Sequence, residues 1–148
     1  MKPSLKRQHF LRKHSLSLAA LAVVVLLIVL YSRSDPATHL GSFFGNAIAD
    51  WTGVLVTVVM TKHLYEKGSA ESKQPKGTVP SEALEFLREH SLTLFLLITG
   101  IGWVLAFRAM DPGSRWGQVV GNIVSEWTQI LGLVLMTKRL IEVGSKEH

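Results

Sequence analysis

The chain has 148 residues, a net charge of +5, an apolar fraction of 47% and no cysteine. The missing thiols exclude disulfides, thiolate metal sites and cysteine nucleophiles. A basic balance suggests nucleic acid in a soluble protein, but here the bases flank long apolar runs, so a membrane explains them and no nucleic-acid partner is expected.

The chain opens on a basic lead-in with Lys2, Lys6, Arg7, Arg12 and Lys13. From Leu16 to Tyr31 only Ser17 is polar. That run, extended by flanking Ser and His residues, approaches the roughly 20 apolar residues of a membrane-crossing helix. A cleaved signal peptide competes for residues 1–34, with a Ser-x-Ser site at Ser32 and Ser34. A similar uncharged run at Leu92–Phe107 lies mid-chain, so a permanent span is the expectation. A short polar break follows with Asp35-Pro36, read as an N-cap and first helical position. The second helix is expected to run to about Leu64 and to stop before Gly68.

Residues 70–81 are rich in Gly, Ser, Lys and Pro and read as a flexible cytoplasmic linker. Pro80-Ser81-Glu82 reads as the next helix start, with acids in its first turn. After it the pattern repeats. Residues 10–69 align with 86–145 at a constant offset of 76, with 24 identities in 60 pairs. Unrelated sequences of ordinary composition give about 4. Phe10-Leu11-Arg12-x-His14-Ser15-Leu16 recurs as Phe86-Leu87-Arg88-x-His90-Ser91-Leu92, and Asp35-Pro36 as Asp111-Pro112. Gly45-Asn46, Trp51-Thr52 and Met60-Thr61-Lys62 recur in the same way, so Leu140 and Gly144 mark the second closing helix end. The expected fold is all-α: an integral-membrane four-helix bundle of two tandem parallel two-helix repeats, residues 1–69 and 82–148.

Charge supports two crossings per repeat. Residues 1–14 and 62–90 each carry five Lys/Arg and the tail from 138 carries three, whereas the two breaks hold only Arg33, Arg108 and Arg115. The positive-inside rule then puts both termini and the middle segment on the cytoplasmic side of a cell membrane. The competing reading makes each second helix an interfacial amphipath.

The second helices carry the polar residues. Ser42, Asn46 and Asp50 lie four apart on one face, and Gln118, Asn122 and Glu126 form the matching row. Asp50 and Glu126 fall near mid-span, where an acid is costly and is expected to face a bundle interior or a watery cavity. One reading is a proton- or cation-responsive site; the other is hydrogen-bonded glue between helices. Gly41, Gly45, Ala49, Gly53, Thr57 and Thr61 form a small-residue row matched by Gly117, Gly121 and Ser125. Its Gly-x-x-x-Gly segments permit close helix approach, either within one chain or in a homo-oligomer. Tyr31, Trp103 and Trp116 suit an interfacial aromatic belt, whereas Trp51 and Trp127 sit too deep and are expected to pack. His14 and His90 correspond, each at the mouth of a first helix, and a structural role is expected rather than a metal site. The basic start can meet anionic lipid heads or simply set topology. No Walker loop, nucleophile elbow or metalloprotease helix occurs, so no enzyme, cofactor or metal is expected.

Asn122-x-x-Ser125-Glu126-Trp127-x-Gln129, with the closing helix and Gly144-Ser145, resembles a family of small bacterial membrane proteins of unknown function. Gly68-Ser69-Ala70-Glu71-Ser72-Lys73 matches that family's tail, and Phe-Leu-Arg-x-His-Ser-Leu its N-terminal helix. The first repeat departs at Ala49-Asp50, where the family has Ser-Glu. The resemblance implies a bacterial cytoplasmic-membrane protein and supplies no activity. Two functional classes follow from the sequence: a non-enzymatic scaffold or accessory protein, or a small proton- or cation-linked transporter or channel.

Overall fold

A computed structural model describes residues 2–146. Six helices and no strand occur among them: α1 (Pro3–Lys13), α2 (Ser15–Arg33), α3 (His39–His63), α4 (Glu82–Glu89), α5 (Ser91–Ala109) and α6 (Arg115–Met136). Four of these, α2, α3, α5 and α6, are long and apolar enough to cross a membrane, at 19, 25, 19 and 22 residues. At 1.5 Å per residue the shortest spans about 29 Å.

The first helix of each pair is broken near its start. His14 and His90 leave helical geometry with φ of −118° and −120°, so α1 and α4 end there and α2 and α5 begin one residue later. In each, the aromatic ring one turn earlier covers the histidine: Phe10 on His14 and Phe86 on His90, with centroids 4.6 and 4.7 Å apart.

The tight turns differ in detail from the expected Asp-Pro cap. The Oδ1 atoms of Asp35 and Asp111 accept from the N–H two residues on, Ala37 and Gly113, forming Asx turns before the helix. The caps are Thr38 and Ser114, whose hydroxyls accept from Gly41 and Gly117 N–H at 3.1 and 3.0 Å. The Asp side chain is consumed by its own turn, so the next hydroxyl takes the orphan helix donor. A Cβ at Gly41 or Gly117 would run into the carbonyl of Asp35 or Asp111, which is why both positions are glycine.

Within each hairpin a second glycine lets an aromatic ring come close to the neighbouring helix. The Tyr31 ring of α2 covers Gly45 of α3, and the Phe107 ring of α5 covers Gly121 of α6. The Gly-x-x-x-Gly segments therefore pack within their own hairpins. Tyr31 is 1% exposed, buried rather than displayed to the surroundings.

Helix α3 packs along α6, with α2 against α3 and α5 against α6. The four long helices thus pair in series, with α3 and α6 at the centre. Asn46 meets Asn122 and Asp50 meets Glu126, each 76 residues apart, so α3 and α6 run in the same direction. The core between the helices includes Leu27, Ile48, Leu92, Leu96, Ile123 and Trp127. The Trp127 indole donates to Thr99 Oγ1 at 2.8 Å, which supplies the partner a deep tryptophan needs.

The two ends of the α3–α6 pair are tied differently. At one end Tyr31 OH donates to the Arg115 carbonyl at 2.6 Å, and the Arg115 guanidinium donates back to the carbonyls of Tyr31 and Ser34. At the other end Thr137 Oγ1 meets Ser69 Oγ and the Ala70 N–H. That tie accompanies a shorter α6. The expected end near Leu140 is corrected to Met136, because the Thr137 hydroxyl and the residues after it turn to hold the linker. Helix α3 continues to His63, and the residues just after it are tied instead to the start of α5, through Tyr65 N–H to Ser91 Oγ and Leu92 N–H to the Tyr65 carbonyl.

Candidate functional site

Asp50 stands eleven residues from the first residue of α3 and Glu126 eleven from the first of α6. Each is about 16 Å along its helix, close to the middle. The constant offset between the two helices brings them together, and Gly53 leaves the space that the Glu126 carboxyl fills: a Cβ there would lie 2.9 Å from Oε2. One turn earlier, Asn122 Nδ2 donates to Asn46 Oδ1 at 2.5 Å.

These residues line one open cleft of about 320 Å³, walled by Asn46, Asp50, Asn122, Ser125, Glu126 and Gln129. All six carry polar side chains. Ser42 and Gln118, also in the expected rows, are exposed and lie outside this lining. Ser125 belonged to the small-residue row and Gln129 to the family-like stretch; both join the site because position 125 flanks 122 and 126 on one face, and 129 lies one turn beyond.

The cleft opens outward. Asn46, Asp50, Ser125 and Gln129 are exposed, and Asn122 and Glu126 are half-buried. Of the two expected surroundings, a bundle interior or a watery cavity, the single chain shows an open cleft: the acids sit on the outer seam of the central pair. The physical reason lies in the glycines. Gly45 and Gly121 turn toward α2 and α5 to admit Tyr31 and Phe107, and that rotation leaves the polar rows outside.

A second polar cluster lies outside the rows expected from the sequence. Glu66, 1% exposed, lies just beyond α3. Its Oε1 accepts from His90 Nδ1 at 2.7 Å and from Lys138 Nζ at 2.8 Å. Burial raises the pKa of Glu66, but its interactions with Lys138, Thr93 and His90 outweigh that and hold the carboxyl below its ordinary range. The identity of Glu66 and Glu142 under the 76-residue offset was the available signal. His14 and His90 do not meet: His14 Nδ1 faces Lys62 Nζ at 3.3 Å. Among the described residues no group of three His, Asp or Glu side chains is placed to hold a metal ion.

No protein family, curated protein or solved structure matches the chain.

Proposed function

We propose that this chain is a multi-pass protein of a bacterial cytoplasmic membrane, made of two tandem parallel hairpin repeats, that handles protons or small cations at the α3–α6 cleft. The observation that carries this reading is a cleft lined by six polar residues at the middle of two helices long enough to span a bilayer. Hydrocarbon does not accommodate such a surface: each unsatisfied polar group there costs several kcal/mol, and intramembrane acids face water or protein. The seam must therefore be covered, and the simplest cover is the same seam on a second copy. Two clefts face to face would enclose four carboxyl groups and eight further polar side chains. A proton or cation between paired carboxylates relieves their mutual repulsion.

The clustering of bases at the end holding Lys13, Lys62, Lys67 and Lys138 supports a cytoplasmic position for that end. The scaffold reading is favoured by one observation, the Asn46–Asn122 bond, since interhelical amide pairs also act as glue.

The absence of cysteine makes the test clean. Asp50→Cys and Glu126→Cys, made separately, are treated with a membrane-impermeant thiol reagent in right-side-out and inverted vesicles. Labelling from at least one side, absent at Leu27→Cys as a buried control, is the expected result. Labelling only after denaturation would overturn the cation-handling reading in favour of a dry scaffold interface.

A further inference from the structure

The two hairpins carry the same histidine–lysine pair at the end that bears the termini, but among the described residues only one pair is matched by an acid. In the second hairpin His90 Nδ1 and Lys138 Nζ converge on one oxygen, Oε1 of Glu66. Their counterparts at an offset of 76, His14 and Lys62, meet each other instead: Lys62 Nζ donates to His14 Nδ1 at 3.3 Å. Among the described residues no carboxylate bridges them. The counterpart of Glu66 is Glu142, which lies in an exposed turn because α6 ends early at Met136. Lys13 adds to the positive charge, and desolvation together with Lys62, Lys13 and His63 holds the His14 pKa below its ordinary value.

This pair borders a cleft of about 290 Å³. Its rim is Lys13, His14, Lys62 and His63; its wall is Leu16 and Ser17 on α2 and Val58 and Val59 on α3, apolar except for Ser17, whose hydroxyl donates to the His14 carbonyl. Basic donors above an apolar groove match a phosphate with a hydrocarbon chain below it. A free anion would satisfy the rim and leave the wall unused.

We infer that Lys62, with His14 and Lys13 beside it, forms a binding site for the phosphate of an anionic phospholipid, the anion that Glu66 supplies to Lys138 in the second hairpin, with an acyl chain on Val58 and Val59. The inference rests on the membrane reading above but not on the α3–α6 cleft.

The test is native mass spectrometry of the full chain released from nanodiscs containing equal phosphatidylglycerol and phosphatidylcholine. Wild type is expected to retain phosphatidylglycerol preferentially, and Lys62→Met with His14→Phe to reduce that preference about tenfold. Lys76→Met, in the linker, is expected to leave it unchanged. Equal retention of both lipids by wild type, or an undiminished preference in the double variant, would overturn the inference. Displacement of the lipid by millimolar inorganic phosphate would also overturn it, by identifying a soluble-anion site. Should the double variant not reconstitute, the His14 ¹⁵Nδ1 shift of wild type decides: it must differ between phosphatidylglycerol and phosphatidylcholine discs. A chain that never enters nanodiscs would instead sink the membrane reading itself.

Discussion

At the residue scale, glycine does the most to shape this molecule, and its effect differs by position. Gly41 abuts the Asp35 carbonyl, whereas Gly102 of α5 has open space around it. Gly41→Ala must displace a backbone turn, with an expected loss of about 1–3 kcal/mol, the range for overpacking a tight site. Gly102→Ala is expected to be neutral or slightly stabilising, since alanine suits a helix interior better. Thermal unfolding in detergent, measured on both variants, checks the contrast; equal midpoints would contradict it. The rows of small residues were legible in the sequence. Which helix each glycine faces was not, because spacing defines a face but does not name the neighbour.

At the scale of elements, helix ends are decided by side-chain partners that lie far away in sequence. The end of α6 at Met136 follows from the tie of Thr137 to Ser69 and Ala70, about 70 residues away. The clamp on Glu66 likewise joins the end of α3, the start of α5 and the end of α6. Glu66→Gln keeps the shape and removes the charge that Lys138 and His90 face, an expected loss of about 1–3 kcal/mol. The pH dependence has a definite sign. The folded pKa of Glu66 lies below its ordinary value of 4.5, so its contribution is present above pH 4.5 and is lost as pH falls through the folded value. Wild type and Glu66→Gln are thus expected to differ in midpoint at pH 7 and to converge in acid. A constant gap across that range would show that charge is not the cause. The Asp-Pro turns were readable in the sequence, but their caps were misplaced by three residues, because Asp35 and Asp111 bond within their own turns.

At the scale of the whole molecule, the proposed membrane setting requires a cover for the polar seam. Helices in lipid gain little from the hydrophobic effect on pairing, so close packing and buried polar contacts decide their association. Ser125 is exposed on the rim of the cleft, at the second hairpin's place in the small-residue row. If two copies meet seam to seam, Ser125→Cys is expected to form an intermolecular disulfide in membranes under mild oxidation, while Leu105→Cys, exposed on α5 away from the seam, does not. Equal cross-linking at both positions would indicate random collision, and none at Ser125 would argue against this face as the interface.

Sequence alone pointed to four apolar segments, where the breaks between them fall, and which residues share a helical face. These are local quantities: run length, turn chemistry and a period of 3.6 residues. The 76-residue self-similarity also anticipated which residues of the two hairpins correspond. Only the tertiary structure decided that the polar rows face outward, that Glu66 clamps one histidine–lysine pair, and that among the described residues His14 and Lys62 stand without an acid. Each outcome depends on how far one helix rotates and where another ends. Those in turn are set by contacts such as Tyr31 on Gly45 and Thr137 on Ser69, made between residues whose separation in sequence says nothing about their meeting.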